Sequence, residues 1–261
     1  MAAARSSTVS GASSGRGRAT RTPITRIFVD SAVVPGEALE LPADEANHVL
    51  KVLRGRTGDH VEVIDGTGRL FAAELRGGRE ASVVEELAAP VGTWVEISLY
   101  QAVPKGGRME FVVEKATEVG ATRIVPLLTE RGVVNPREGK VGRWRRVAGA
   151  AARQSLRLAA PEVAEPTRFE EAVSKVGETG VLLHNAPGLP PVEAVVPSPA
   201  NLFVGPEGGW SDGELRLAEE AGLALGGLGP YRLRSETAGI VAVARTLAAL
   251  ESRTEYQRRW P

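Results

Sequence analysis

Two segments near the C-terminus, NLFVGPEGGWS at residues 201–211 and LGPYRLRSETA at residues 228–238, are the most informative part of this sequence. Each has glycine and proline in a loop, beside a strand-like apolar run and before the start of a helix. Glycine in such a loop lets another molecule approach the main chain closely, so that backbone N–H and C=O groups can serve as binding partners. Two such loops in one domain predict a pocket that binds a small molecule mainly through backbone atoms.

The residues after each loop indicate where a helix begins. Ser211 followed by Glu214 fits a capping box, which predicts a helix over residues 212–221. Ser235 is the predicted N-cap of a second helix, and Glu236 lies in its first turn, where the helix dipole favours a carboxylate. Both loops are therefore expected to lead directly into helices.

The second helix is apolar almost all round from Ala238 to Leu250, with only Arg245 and Thr246 as interruptions. A helix of this kind is buried on most sides, by its own domain, by a second subunit, or by both. Because a short two-layer domain offers little cover for such a surface, the sequence predicts a homodimer with this helix at or beside the interface.

Length and composition limit the class of protein. The chain has 261 residues, enough for one large domain or two smaller ones with a sizeable core. Lys plus Arg equals Asp plus Glu, at 32 each, which excludes a uniformly basic nucleic-acid binder but not a local basic patch. The absence of cysteine excludes disulfides and thiolate zinc sites and fits a reducing compartment. No apolar run approaches the roughly 20 residues of a membrane span, and the N-terminus lacks a signal-peptide core, so a cytoplasmic protein is expected.

Changes in composition along the chain predict a tail and two domains. Residues 1–22 hold almost nothing to bury and are expected to be a disordered tail. Residues 23–90 contain short β-like segments and a turn signal at Asp65-Gly66, and they predict a small β-barrel. Its strands are expected at 26–29, 60–64, 70–75 and 82–86, and its one helix at 44–53. Residues 90–93 are interpreted as a linker.

Strands and helices alternate over residues 94–252, which form the predicted second domain. Strands are expected at 95–103, 123–128, 181–183 and 202–204, and helices at 108–119 and 141–158. Such alternation predicts the α/β class, with a mostly parallel sheet and ligands at the C-terminal ends of its strands.

Other common site signatures are missing or out of context. No strand is followed by GxGxxG at a helix start, so a Rossmann dinucleotide site is unsupported. The string GASSG at residues 11–15 satisfies a nucleophile-elbow pattern, but it follows no strand and opens no helix, which fails the test for a hydrolase. His48, His60 and His184 lie far apart, so no metal site is predicted.

Taken together, the motifs resemble those of one family. GPEGG at 205–209 and LGPYRLRSETA at 228–238 are similar to the SPOUT methyltransferases of the RsmE family, which methylate N3 of a uracil in 16S ribosomal RNA. The resemblance continues with NHVLKVLR at 47–54, PKGGRME at 104–110, EKATEVG at 114–120 and RIVP at 123–126, and it covers about residues 25–250 in the family's order. It implies a SPOUT-type sheet with a C-terminal trefoil knot, and an N-terminal PUA-like domain that binds RNA.

The resemblance implies S-adenosylmethionine as the ligand of the pocket. Its adenine needs an apolar slot with backbone partners, and its sulfonium needs a site without a crowding positive charge. For His184 a structural role is as compatible with the sequence as a direct contact, and Glu207 is interpreted as either a ligand contact or a residue that orders the loop. The predicted cofactor-binding residues are Leu183, His184, Gly205, Pro206, Glu207, Gly208, Gly209, Leu228, Leu233, Ser235, Thr237 and Ala238.

A basic stretch from Arg137 to Arg157 holds seven basic residues against one acid, Glu138. Such a local excess is what phosphate contacts require. Trp144 lies within the stretch and is expected to pack inward rather than stack on a base. The family often has EQSGR where this chain has RQSLR at 153–157, which puts the roles of Arg153 and Leu156 in question. The predicted RNA-binding residues are Lys51, Arg54, Lys105, Arg143, Arg146 and Arg153.

Methylation of uracil at N3 requires loss of the imide proton and puts transient negative charge on O2 and O4. Because N3 is paired in a duplex, the base must be unpaired or flipped out. Positioning of N3, together with a cationic donor at the developing charge, is the expected source of catalysis. Arg232 and Arg234 are the candidate donors. Glu236 is either the proton acceptor or a helix-capping carboxylate.

The expected partner is 16S ribosomal RNA within the assembled small subunit. Two alternatives are a SPOUT enzyme that modifies another RNA nucleotide and an RNA-binding assembly factor that keeps the fold without the chemistry. The intact GPEGG and RSET strings argue against the assembly factor, because a protein without a working pocket has no need for loops that expose their backbone.

Overall fold

The computed structural model describes residues 26–88, 95–134, 136 and 139–253. Within them the chain forms two separate β-sheets, one on each side of the predicted linker. The tail at 1–22, the linker at 90–93, and both Arg137 and Glu138 lie outside the described residues.

The N-terminal sheet has five strands in the order β1-β3-β4-β5-β2. Strand β1 pairs with β3 in parallel, and the other neighbours are antiparallel. Thirteen buried apolar residues, among them Phe71 and Ile27, form a core of their own. The elements are β1 (Arg26–Phe28), β2 (Ala38–Glu40), α1 (Ala43–Asn47), a π-helical turn (His48–Val52), β3 (His60–Ile64), β4 (Leu70–Gly77) and β5 (Glu80–Leu87).

The C-terminal sheet is parallel throughout, as the alternation of strands and helices predicts. Its order is β12-β10-β11-β6-β7-β8, and β9 also pairs with β7. The strands are β6 (Ile97–Ala102), β7 (Arg123–Leu128), β8 (Glu162–Val163), β9 (Thr167–Arg168), β10 (Gly180–Leu183), β11 (Ala200–Val204) and β12 (Ala224–Gly226). The helices are α2 (Met109–Glu118), α3 (Lys140–Gln154), α4 (Phe169–Val176), α5 (Val192–Val195), α6 (Asp212–Glu220) and α7 (Ser235–Arg253), with a 3₁₀ turn at Gly177–Thr179.

Helices cover both faces of this sheet, which explains why its central strands are continuous apolar runs. Leu99 and Leu202 face one core, against which α2, α3 and α7 pack. Their neighbours Tyr100 and Phe203 face the opposite core with α4 and α6, and their rings stack at 4.5 Å between centroids. Successive residues of a strand point to opposite faces, so both must be apolar here.

Local backbone geometry changes two of the predicted helices. The helix expected at 44–53 is α1 followed by the π-helical turn, in which Leu53 N donates to His48 O, and Arg54 ends it with φ +58°. The helix expected at 141–158 ends at Gln154, because Leu156 has φ +56°. The pattern of apolar side chains over a single turn is the same for an α-helical and a π-helical turn, and it does not show where a positive φ ends a helix. The sequence therefore did not reveal these features.

The sequence did not predict several short elements: β2, β8, β9, α4, α5 and β12. Most of them have two to four residues, which is too few for a period of 2 or 3.6 to show. The trefoil knot stays a prediction.

Candidate active site

A cavity of about 500 Å³ lies at the C-terminal ends of β10, β11 and β12. The loop after β11 and the loop before α7 form two of its sides, as the two opening segments predict, and residues 183–185 form a third. The lining residues are Leu183, His184, Asn185, Val204, Gly205, Pro206, Glu207, Gly209, Trp210, Leu228, Gly229, Tyr231, Arg232, Leu233, Arg234, Ser235 and Ala238. Most of the predicted cofactor residues therefore meet at one cavity.

Two of the predicted cofactor residues do not line this cavity. A Cβ on Gly208 would lie 3.3 Å from Arg131 Cβ, so this glycine faces Arg131 instead. Thr237 is exposed on the first turn of α7 and is also absent from the lining. Sequence spacing placed both residues close to the cavity, but the direction in which each residue faces depends on the backbone path.

Trp210 forms part of the cavity wall and packs on the residues behind it. Its ring is buried, packs against Phe169 at 5.0 Å between centroids, and donates from Nε1 to Leu183 O at 2.9 Å. A Cβ on Gly205 would lie 3.0 Å from this indole, closer than real Cβ contacts normally come. The structure therefore explains Gly205 by packing on Trp210, whereas the sequence favoured close approach of a ligand over a role in turn formation alone.

A chain of hydrogen bonds connects the two loops through Ser235. Its hydroxyl donates to Gly205 O at 2.7 Å and accepts from Gln101 Nε2 at 2.9 Å, and Gln101 is fully buried at the end of β6. The N-cap prediction for Ser235 is thus wrong, because α7 begins at Ser235 itself and the hydroxyl bonds across to the other loop. Sequence analysis missed Gln101, which has no local signal.

The capping box at Ser211 is confirmed and extends to a third residue. The Ser211 hydroxyl accepts from Glu214 N, while the Glu214 carboxylate accepts from Ser211 N at 2.8 Å. That carboxylate also accepts from Glu130 N at 2.9 Å, and the Ser211 hydroxyl donates to Glu130 Oε2 at 2.6 Å. These contacts hold the start of α6, and with it the loop at 205–210, against the end of β7.

Charged groups at the rim of the cavity meet around Arg108. Its guanidinium lies 3.5 Å from Glu236 Oε1 and 3.8 Å from Glu207 Oε1. Glu207 also accepts from Lys105 N at 3.1 Å, and its backbone oxygen accepts from Arg232 at 3.2 Å. Glu207 thus orders the rim, one of the two roles expected for it, and Arg108 is a rim residue that sequence analysis did not single out.

Glu236 differs from the two arginines with which it was grouped. Arg232 and Arg234 line the cavity and are exposed, whereas Glu236 is buried and does not line it. Its Oε2 has no hydrogen-bond partner within the described part of the chain, and its Oε1 faces Arg108. This placement favours an electrostatic role toward Arg108.

The predicted RNA-binding residues fall into two groups. Lys51, Arg54, Lys105 and Arg146 are exposed. Arg143, which is exposed as well, and Arg153, which is partly buried, form ion pairs, each at 2.7 Å, with Glu110 and Glu45 respectively.

Arg153 is paired with a buried carboxylate of the other domain, and its role as an RNA contact stays a prediction. Trp144 is buried and packs inward, as expected. Arg157 donates to backbone oxygens of Thr117 and Ala121 and so serves the fold.

In residues 26–88, 95–134, 136 and 139–253, no three His, Asp or Glu side chains come together as a metal site. Among the helices of these residues, none is long and apolar enough to cross a membrane.

Comparison with known proteins identifies both parts of the chain. Residues 93–247 match the model of an RNA methyltransferase domain, and residues 41–86 match that of an RNA methyltransferase PUA domain. The ribosomal RNA small subunit methyltransferase E of Synechocystis sp. is 36% identical over 234 residues, covering 84% of this chain and 77% of the relative. The protein of the same name from Mycobacterium tuberculosis is 32% identical over 235 residues, covering 83% of this chain and 88% of the relative.

Two solved structures share the fold. A putative methyltransferase from Legionella pneumophila, in complex with S-adenosylmethionine, is 31% identical with a TM-score of 0.78 and covers 87% of this chain and 98% of its own. The ribosomal RNA small subunit methyltransferase E of Neisseria gonorrhoeae, bound to S-adenosylmethionine, is 30% identical with a TM-score of 0.78. The match covers 88% of this chain and 98% of the Neisseria chain. The fold, the paired loops and these matches show that the chain belongs to the RNA methyltransferase family of the ribosomal RNA small subunit methyltransferase E proteins.

Proposed function

We propose that this protein transfers a methyl group from S-adenosylmethionine to N3 of a uridine in 16S ribosomal RNA of the small subunit. The observation that carries the proposal is the cavity between the two glycine-rich loops, in a chain whose relatives are small-subunit RNA methyltransferases. The proposal includes a cytoplasmic location, because that is where a ribosomal RNA substrate is found.

The cavity fits the cofactor in size and chemistry. A volume of about 500 Å³ is in the range of small-molecule sites. Leu183, Leu228, Leu233 and Ala238 supply an apolar wall for an adenine, and the loops expose backbone groups beside it. When bound, S-adenosylmethionine supplies an electrophilic methyl group.

Catalysis in this proposal rests on positioning and on positive charge at the rim. Arg232 and Arg234 are exposed and line the cavity, where a guanidinium would stabilise the negative charge that develops on uracil O2 or O4. Glu236 acts by holding Arg108 at the rim, 3.5 Å away. We therefore assign Glu236 to positioning and the two arginines to the reaction.

Tyr231 is the group best placed to hold the target base. It lines the cavity next to Arg232, and 81% of its surface is exposed. An exposed aromatic ring beside the cavity offers a flat face, and an unpaired base stacks on such a ring by about 1–3 kcal/mol. We assign Tyr231 to stacking on the flipped uracil.

RNA binding beyond the target base uses both domains. Lys51 and Arg54 are exposed on the N-terminal domain, and Lys105 and Arg146 on the C-terminal domain. Each phosphate contact raises the salt dependence of binding by about one unit of slope. These four residues form the proposed phosphate-contacting set.

The same proposal includes a homodimer. The inner side of α7 is buried through Ala242, Val243 and Thr246, but Ala244 and Ala248 on its outer side line an open groove. Small apolar side chains on an open helix face favour close packing by another helix. Sedimentation velocity at micromolar concentration tests this, and a monomer would count against it.

Calorimetry with S-adenosylmethionine tests the site. Ala238→Leu adds three carbons to the wall of the cavity and should weaken binding at least tenfold. Ala150→Leu, at an exposed position of α3, is the matched control and should bind like the parent. Unchanged affinity in Ala238→Leu would remove this cavity as the cofactor site.

Mass spectrometry tests the reaction. Small subunits from a strain lacking the corresponding gene, incubated with the protein and S-adenosylmethionine, should gain one methyl group on a uridine. Cofactor binding without methyl transfer to any RNA would favour the assembly factor, and methylation of another nucleotide would favour a different SPOUT activity.

A further inference from the structure

An ion pair between the domains joins two residues 108 positions apart in the sequence. Arg153, in the last turn of α3, donates from Nη1 to Oε1 of Glu45, in α1 of the N-terminal domain, at 2.7 Å. The Glu45 side chain is 4% exposed and that of Arg153 is 31% exposed. The guanidinium thus reaches across the boundary between the domains to a buried carboxylate.

The pair is poorly explained as a source of stability. Burial raises the pKa of Glu45, and the nearby Arg153 only partly opposes that effect. The second oxygen, Oε2, is buried without a hydrogen-bond partner among the residues described. Desolvation of such a pair often exceeds its Coulomb attraction, so an apolar contact of the same volume would stabilise the fold at least as well. What the charged pair adds is a defined geometry, because its hydrogen bond forms only within a narrow range of distance and angle.

The geometry set by this pair extends to the cavity through two helices. Arg157, one turn beyond Arg153, donates to Thr117 O at the end of α2 at 2.7 Å. Arg143, at the other end of α3, pairs with Glu110 at the start of α2. Helix α3 is therefore held to α2 at both ends, and α2 begins directly after Arg108, the residue that faces Glu207 and Glu236 at the rim.

We propose that the Arg153–Glu45 pair fixes the orientation of the N-terminal domain relative to the cavity, so that RNA held by that domain presents its target base at the rim. Arg153 is then a positioning residue and not an RNA contact. This inference rests on the proposed function, since it concerns how the RNA substrate is aligned. A misalignment of about 1 Å is enough to cost on the order of 100-fold in rate.

Glu45→Ala separates this role from phosphate binding. If the pair orients the domains, Glu45→Ala and Arg153→Ala should both lower kcat/KM for small subunits, by roughly tenfold or more, with S-adenosylmethionine affinity unchanged. If Arg153 contacts phosphate instead, Glu45→Ala frees its guanidinium and tightens RNA binding. Tighter binding in Glu45→Ala would overturn the proposal.

The exchanged pair, Glu45→Arg with Arg153→Glu, provides the rescue. It restores attraction across the same boundary and should recover most of the lost kcat/KM, whereas a phosphate contact would stay lost. The matched control is Arg145→Ala on the same helix, whose partner Glu165 belongs to the same domain, and it should leave kcat/KM within about twofold. Failure of the exchange in a folded protein would also overturn the proposal.

A distance measurement makes the test independent of activity. The chain has no cysteine, so Glu85→Cys in β5 and Glu170→Cys in α4, both exposed, give one spin label on each domain. Excess unlabelled protein is added so that only the distance between the two labels of one chain is measured. The parent should give one narrow distribution of this distance. Glu45→Ala should broaden it and the exchanged pair should narrow it again. Equal widths would refute the orienting role, even if the parent showed no methylation and the proposed function itself had failed.

Discussion

Replacing Gly239 by alanine has two opposite effects on stability. It favours the helix taken alone, but it creates a collision in the folded protein. Helix propensity favours alanine over glycine by about 1 kcal/mol in a helix interior, so α7 considered alone would be stabilised. In the folded protein, a Cβ on Gly239 would collide with Gln101 Oε1. Gly239 is needed because α7 crosses β6 at this point with no room for a methyl group.

The cost follows from how Gln101 is held. Its Nε2 donates to Ala102 O at 3.1 Å and to Ser235 Oγ at 2.9 Å, so the amide cannot rotate away without breaking both hydrogen bonds. Two such bonds contribute about 1 kcal/mol each, and forcing a methyl group into a packed core costs about 1–3 kcal/mol. After subtraction of the propensity gain, Gly239→Ala should lower the free energy of unfolding by about 2–4 kcal/mol, or Tm by about 5–15 °C.

Urea unfolding followed by circular dichroism measures this difference. Gly142→Ala in α3 is the matched control, because no atom lies within 4 Å of its added Cβ and it should stabilise by about 0.5–1 kcal/mol. In a Gln101→Ala background the collision is absent, so Gly239→Ala should there become stabilising. If Gly239→Ala raised the urea midpoint as Gly142→Ala does, the collision with Gln101 would be refuted.

Three further predictions concern the N-terminal domain, the rim of the cavity and helix α3. Burial alone would raise the pKa of Asp65, but hydrogen bonds from Thr67, Arg69 and Val33 hold it well below its ordinary value of 3.8. Asp65→Asn should therefore lower stability by about 1–3 kcal/mol at pH 7. A carboxylate with a lowered pKa contributes stability that is fully present above pH 3.8 and is lost as the pH falls below it. The difference in urea midpoint between Asp65→Asn and the parent should therefore be smaller at pH 3 than at pH 7. An equal difference at both pH values would contradict this. Tyr231→Ala should reduce kcat/KM for small subunits roughly 5- to 100-fold through loss of stacking, while Tyr231→Phe retains it; equal activity of the two in steady-state assays would exclude stacking. Arg146→Ala should lower the slope of log affinity against log salt by about one unit, and an unchanged slope in filter-binding titrations would remove Arg146 from the RNA surface.

The sequence by itself determined the features that depend on a few neighbouring residues. The parallel α/β sheet followed from alternating apolar runs, and both loops and the capping box at Ser211 followed from glycine, proline and cap residues. The inward packing of Trp144 followed from its place on a helix. Backbone preferences and hydrophobic periodicity act over two to four residues, so they can be inferred without the fold.

Only the tertiary structure decided which charged and polar groups have partners. Arg143, Arg146 and Arg153 are equivalent as a basic stretch, yet two of them pair with Glu110 and Glu45, which lie 33 and 108 positions away. Gln101 likewise meets Ser235 across 134 positions. An ion pair or a buried hydrogen bond depends on distances of about 3 Å between atoms that the chain path brings together, and no local pattern encodes that distance.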